Sequence, residues 1–196
     1  MRKVLFISMI IIMTMVLTSC YDAHEPDELL HVLVVGFDRG RSDRLRIILK
    51  FLTVGESSPN GEESGIALQE GNLEDDVLMI DAPSFFTGIN LFNSFRSRRL
   101  MFSHAQLIIF SQELAEAGLV KDYIAPLIRF REIRHSANVI LVKGDIYEFL
   151  KESKPLLGTL ISEDFRLFFN QSENTGFFPR VTLESFVTDL HSTYAQ

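Results

Sequence analysis

The chain has 196 residues, of which 46% are hydrophobic and 23% are charged, with one Cys and a formal net charge of −7. These proportions suit a globular domain that buries a sizeable core, and they exclude intrinsic disorder over the whole chain. One Cys cannot form an intramolecular disulfide or a Cys-rich metal cluster. The acidic surplus would repel a phosphate backbone, so we predict no nucleic-acid partner.

The first 19 residues predict an export signal. Arg2 and Lys3 give a positive start, an uncharged core of 13 residues follows, and small residues close the segment. This is the layout of a secretory signal peptide, and its core is shorter than the roughly 20 residues that a membrane-spanning helix needs. We therefore predict a signal peptide at residues 1–19, with a permanent transmembrane anchor as the disfavoured alternative.

Cys20 is predicted to carry a lipid anchor. It follows Leu17, Thr18 and Ser19, and this run resembles the lipobox of bacterial lipoproteins, in which the thiol is diacylglycerylated and the chain is cut before the cysteine. Two acyl chains bury many methylenes at about 0.8 kcal/mol each, which is enough for stable anchoring. The alternative is a Cys that follows a leader by chance. Removing residues 1–19 leaves 17 basic and 26 acidic residues, a net charge of −9.

After a polar membrane-proximal linker at residues 20–28, the sequence predicts a β-hairpin. Residues 29–37 form a nearly continuous apolar run, which is typical of a buried strand. Residues 38–43 are turn-forming, and residues 45–54 resume as a strand with Arg46 and Lys50 on the face opposite its apolar side chains.

Residues 55–76 form a strongly acidic segment. They contain seven acidic residues and no basic one, so their charge of −7 equals that of the whole precursor. Such a segment could bind a metal or a partner, or be a solvated insertion between strands. We favour the insertion, because the spacing lacks the pattern of a calcium-binding loop.

Strand and helix patterns alternate from residue 77 onward. Strands are predicted at residues 77–80, 105–110 and 139–142. Helices are predicted after the capping residues Ser84, Ser111 and Asp145, at residues 122–134 with Pro126 near the first turn, and in the amphipathic segments 161–169 and 183–190. We therefore expect an α/β fold with a mixed sheet, an N-terminal β-hairpin and helices packed on it.

Motifs that carry catalysis are absent from the sequence. There is no Gly-rich phosphate loop, no His-Glu-x-x-His and no Gly-x-Ser-x-Gly, and no pair of histidines has i, i+4 spacing. We predict that the protein is not an enzyme and has no catalytic residue, cofactor or metal ion.

Three arginines precede His104 in the chain: Arg96, Arg98 and Arg99. They could contact anionic headgroups or lie at a solvated helix end, and we favour the helix end because three charges are fewer than lipid-binding clusters carry. His104 is predicted to be a hydrogen-bonded structural residue.

Several segments in order resemble the C subunit of the nutrient germinant receptors of endospore-forming bacteria, the Ger(x)C lipoprotein family. The strongest is RRLMFSHAQLIIFSQELA at residues 98–115; the others are residues 17–22, 34–40, 131–134 and 139–144. Two positions depart from the family pattern: Tyr21 replaces a Trp, and residues 82–84 replace a Gly-x-Thr. Family members are considerably longer, so residues 29–196 look like an N-terminal domain, and we expect a truncated product.

The resemblance implies a lipoprotein on the extracytoplasmic face of the inner spore membrane. It implies assembly with the integral membrane subunits A and B, a role in the response to nutrients, and no established catalytic activity, cofactor or metal. Two other hypotheses remain. The first is an extracytoplasmic lipoprotein that binds a small ligand itself, and the second is a lipid-anchored hydrolase with a Ser/His/Asp cluster assembled in space.

Overall fold

The computed structural model describes residues 29–52, 77–95, 97–153 and 161–192, together with residues 2–4, 6, 7 and 9 near the start. Of residues 161–163 and 173 only the backbone is described. Cys20, the linker at residues 20–28 and the acidic segment 55–76 lie outside the described residues, so the predictions made for them stay predictions.

The described chain forms an α/β fold with one mixed sheet. Its six strands are β1 (Leu29–Arg39), β2 (Leu45–Leu52), β3 (Val77–Ala82), β4 (Arg99–Met101), β5 (Leu107–Ser111) and β6 (Asn138–Val142). Beyond residue 28, the described residues form seven helices: α1 (Phe85–Phe95), α2 (Gln112–Glu116), α3 (Val120–Arg129), α4 (Ile146–Glu152), α5 (Ile161–Asn170), α6 (Ser172–Thr175) and α7 (Leu183–His191). This confirms the fold class predicted from the sequence.

The N-terminal hairpin is confirmed, and it contains an irregularity. β1 and β2 pair antiparallel, with Phe37 opposite Ile47, but the register shifts between Val32 and Val34. The extra residue is a β-bulge, which turns Leu33 and Val34 towards the same face of the sheet although they are neighbours in the chain.

β1 lies in the middle of the sheet, whose order is β3-β2-β1-β5-β6. β2 and β3 are antiparallel, whereas β5 pairs parallel with both β1 and β6. The short β4 pairs parallel with the first three residues of β1, next to β5 along the same edge. The carboxyl ends of β1, β5 and β6 therefore meet at one end of the sheet, and their amino ends at the other.

Helices cover both faces of the sheet. Buried side chains of α1, α3 and α7 pack with β1, β2 and β5 on the first face, where Phe37, Phe85 and Phe110 form the centre. Buried side chains of α4 and α5 pack on the second face around Ile48 and Ile109. Because both clusters share the same strands, the sheet is the common core of the described chain.

The predicted helix starts are confirmed at three caps. Ser84 accepts a hydrogen bond from the Thr87 N–H, Ser111 accepts one from Leu114, and the Asp145 carboxylate accepts bonds from Tyr147 and Glu148. Each cap satisfies a backbone N–H that the first helical turn leaves without an intrahelical partner.

Two predictions about helices need correction. The helix predicted at residues 122–134 is α3, which begins at Val120 and ends at Arg129, so Pro126 lies inside it rather than in its first turn. Arg99, expected at a helix end, is the first residue of β4. Both differences arise because tertiary pairing and packing, which local patterns do not contain, decide where these elements begin and end.

Candidate functional site

A polar cleft of about 430 Å³ lies at the carboxyl end of the parallel strands. Residues directly after or at the ends of β1, β5 and β6 form its walls, which is the position where ligands bind in open α/β sheets. Its lining residues are Asp38, Arg39, Gly40, Arg41, Arg46, Ser111, Gln112, Glu113, Gly144 and Asp145.

The ion pair between Arg46 and Asp81 borders this cleft. Arg46 donates two hydrogen bonds to the two carboxylate oxygens, 2.6 Å from Nε and 3.0 Å from Nη2, and only about a tenth of each side chain is exposed. Arg41 N–H, Ser42 N–H and Ser42 O–H also donate to Asp81 Oδ2, each at 2.9 Å. The carboxylate therefore holds the turn after β1 against the end of β3.

Hydrogen bonding fixes the charge state of this pair. The bonds from Arg46, then those from Ser42 and Arg41, hold the pKa of Asp81 far below its usual range, although burial acts in the opposite direction. The hydrogen bond to Asp81 in turn raises the pKa of Arg46. Both groups are thus charged at every physiological pH, and they serve as fixed charges rather than as proton donors.

Other side chains of the cleft hold helix ends. Ser111 caps α2 and Asp145 caps α4, while Gln112 donates to Glu116 at 2.6 Å. Arg39, Arg41 and Glu113 are exposed at its rim. The cleft therefore offers charges of both signs to a small polar molecule, and its lining includes neither His nor Cys.

Two histidines meet near the amino end of β1. The rings of His31 and His104 are edge to face, with centroids 5.0 Å apart, and His31 Nδ1 is buried without a hydrogen-bond partner. Burial lowers the pKa of His31, and the charge of His104 lowers it further. The prediction of a hydrogen-bonded structural residue at His104 is therefore not confirmed: the side chain is exposed and makes a ring contact with His31.

Two of the three arginines of the predicted basic cluster lie within the described residues. Arg98 and Arg99 follow the last residue of α1, and Arg99 lies 3.8 Å from the Glu132 carboxylate. Glu132 also accepts a hydrogen bond from the Phe102 N–H. Arg96 lies outside the described residues. Arg99 therefore helps to join β4 to the segment after α3.

Local sequence predicts the face of the strand on which Arg46 lies, but it does not predict the ion pair with Asp81. Arg46 lies on the predicted face of β2, opposite the apolar side chains. Its partner depends on the register between β2 and β3, in which Arg46 and Asp81 are directly opposite each other. Opposite charges at facing positions of antiparallel strands stabilise each other. That register spans a 24-residue connection, from Leu52 to Val77, so local sequence does not determine it.

Within the described ranges, no helix has the length and hydrophobicity to cross a bilayer. The same residues contain no group of three or more His, Cys, Asp or Glu side chains that could hold a metal ion.

Comparison with known protein families identifies the family of this chain. Residues 22–196 match the family described as spore germination protein N-terminal domain. The match covers all but the first 21 residues, so the chain belongs to this family and has a role in spore germination. No curated protein and no solved structure matches the chain.

Proposed function

We propose that the protein is a lipid-anchored subunit of a nutrient germinant receptor that acts by binding the A and B membrane subunits. The observation that carries the proposal is the position of the family domain, which begins at residue 22, two residues after the only Cys of the chain. Residues 1–19 then have the length and composition of a leader, and Cys20 is the residue that a lipobox requires.

The proposed anchor limits the distance between the domain and the membrane. The first strand begins at Leu29, nine residues after Cys20. A fully extended chain of that length reaches about 30 Å. In this proposal the amino end of β1, with β4 beside it, therefore stays within about 30 Å of the extracytoplasmic surface of the inner spore membrane. No catalytic step is included, because the proposed action is protein–protein assembly.

Fatty-acid labelling tests the anchor. Cells that express the full chain are fed a clickable fatty acid, and the immunoprecipitated protein is assayed for the label. We expect Cys20→Ala to abolish labelling, while the neighbouring Ser19→Ala, which keeps a small residue at the boundary, is labelled as in the wild type. Equal labelling of the wild type and Cys20→Ala would refute the anchor.

Co-purification tests the assembly separately. The tagged chain is isolated from spore membranes in mild detergent and probed for the A and B subunits by mass spectrometry. We expect both to be recovered with the wild type. Their absence from a sample in which Cys20 is lipidated would reject the receptor role and leave the anchor in place.

The cleft at the carboxyl ends of the strands favours one alternative, a lipoprotein that binds a small ligand. Its charges of both signs, with Arg39 and Glu113 exposed at the rim, suit a zwitterion. A directly bound ligand at 100 times its Kd stabilises the folded state by about 2.7 kcal/mol. A thermal-shift screen of the full chain with amino acids and sugars tests this function, and a uniform lack of response would reject it.

A further inference from the structure

A second pocket, of about 160 Å³, lies at the opposite end of the sheet. It is formed where β5 and β6 begin, and it adjoins β1 because the Gln106 N–H donates to Leu33 O at 3.0 Å. Its lining residues are Ala105, Gln106, Arg134, Ser136, Ala137, Asn138, Arg166 and Arg180. Three of the eight are arginines and none is acidic, so the lining has a strong positive charge.

Neutral groups hold Arg180 in place. Its Nε donates to Asn138 Oδ1 and its Nη1 to Asn170 Oδ1, both at 3.2 Å. Asn138 is 5% exposed and is the first residue of β6, so this amide is a fixed acceptor. Amide oxygens orient a guanidinium without neutralising its charge. Arg180 therefore keeps both its charge and further N–H donors for a ligand.

The other lining groups add to the positive charge. Arg134 is exposed and forms no ion pair within the described part of the chain. The nearby carboxylate of Glu132 is already bound to the Phe102 N–H and lies close to Arg99. Arg166 approaches from α5, a different element from those that carry Arg134 and Arg180. Arginines from three segments thus converge on one small space.

We propose that this pocket binds a phosphate-type oxyanion. The planar guanidinium group donates parallel hydrogen bonds that match the oxygens of a phosphate, and convergent arginines favour this group over a compact monovalent ion such as chloride. The Ser136 hydroxyl provides one more donor in the lining. The oxyanion could come from free phosphate or from a lipid headgroup. The proposal is independent of the receptor role, because it rests only on the pocket.

Calorimetric titration with inorganic phosphate tests the site. The full chain is purified in a non-ionic detergent and titrated in a buffer whose only other anion is chloride. We expect saturable binding that Arg134→Gln and Arg180→Gln each weaken by at least about tenfold, because each removes a charge-assisted hydrogen bond to the ligand. Arg129→Gln, a matched loss of an exposed arginine that lines neither this pocket nor the cleft at the other end of the sheet, should leave the affinity unchanged.

Vesicle binding distinguishes the two sources. The full chain is incorporated into phosphatidylcholine vesicles with and without phosphatidylglycerol, and its thermal unfolding is followed. Stabilisation by phosphatidylglycerol that Arg134→Gln removes assigns the site to a headgroup, whereas a response to free phosphate alone assigns it to a soluble ligand. Arg134→Gln keeps the test valid if Arg180→Gln misfolds, because Arg134 makes no ion pair among the described residues. Absence of binding in both assays, or equal binding by all variants, would overturn the proposal.

Discussion

Asp81 accepts five hydrogen bonds from three residues, all of them through one carboxylate. Arg46 supplies a charge to this nearly buried group, and the backbone of Arg41 and Ser42 brings the turn after β1 to it. Replacing this carboxylate with an uncharged group would leave the charge of Arg46 unpaired in the same nearly buried environment. One side chain thus joins the hairpin turn to the edge strand β3.

Asp81→Asn should therefore lower the free energy of unfolding by about 2–4 kcal/mol, because it leaves the nearly buried charge of Arg46 without its counter-ion. Urea unfolding followed by circular dichroism measures the change. The matched control is Asp122→Asn, which breaks the Arg44–Asp122 pair, whose side chains are 63% and 54% exposed. An exposed pair contributes about 0–1 kcal/mol. Equal losses in the two variants would contradict this assignment.

The same carboxylate gives the stability a pH dependence. Because the folded state lowers the pKa of Asp81, its contribution is present above the unfolded-state pKa of about 3.9 and is lost as the pH falls further. Wild type should lose stability steeply below about pH 4, and the stability of Asp81→Asn should fall less over the same range. Parallel acid profiles for the two proteins would show that Asp81 is not the group responsible.

Single glycines allow elements to approach the sheet closely on each face. A Cβ at Gly36 would lie 2.9 Å from Ile146 Cγ2 of α4, and one at Gly88 of α1 would overlap Ile47 Cδ1 and lie 3.3 Å from Ala82 Cβ. Ile47 is fully buried, so its side chain could shift only against the other packed side chains of the core. These two positions require the absence of a side chain rather than the backbone flexibility of glycine.

Gly88→Ala is expected to destabilise the protein by about 1–2 kcal/mol. Overpacking a core costs about 1–3 kcal/mol, and the better helix propensity of Ala recovers up to about 1 kcal/mol of it. Chemical denaturation gives the value. Asn90→Ala, at an exposed position two residues later in the same helix, carries the propensity gain without the clash, so it should be neutral or slightly stabilising. A stabilised Gly88→Ala would show that α1 can move outward.

Elements with a strong local pattern were predictable from the sequence, and those defined by distant partners were not. The hairpin and the capped helices were found because the turn residues and the capping residues Ser111 and Asp145 act within a few positions. β4 has only three residues and exists because it pairs with the start of β1, some 70 residues earlier. The bulge at Leu33 was missed because β1 is apolar on both faces, so no alternation reveals the register shift.

The candidate sites were less predictable than the fold, for a related reason. Both pockets are formed by segments far apart in sequence: Arg39 and Asp145 meet in one, and Gln106 and Arg180 in the other. These residues share no sequence motif, because the order of the strands in the sheet brings them together rather than their spacing in the chain. The prediction for Cys20 is of the opposite kind, since a lipobox is recognised from local sequence without a fold, and it stays a prediction.

At the scale of the whole molecule, the two faces of the sheet should unfold together, because β1, β2 and β5 contribute to both hydrophobic clusters. Phe85→Ala on the first face should cost about 3–5 kcal/mol and Ile146→Ala on the second about 2–5 kcal/mol. Thermal scans followed by near- and far-UV circular dichroism should show each variant lowering one shared transition. Two separate transitions, each sensitive to one variant, would mean that the layers unfold independently.

The central position of β1 also determines the order in which this domain can fold. β1 meets β2 across a short turn, but its other edge pairs with residues 107–110, about 70 positions later in the chain. Such non-local pairing is slow to form, and an unpaired apolar strand edge is a template for aggregation. If residues 1–19 direct export as predicted, the chain crosses the membrane in the order of its sequence, so the middle of the sheet emerges first and is completed late. The nascent domain is therefore most prone to aggregation in the interval between the emergence of β1 and that of β5.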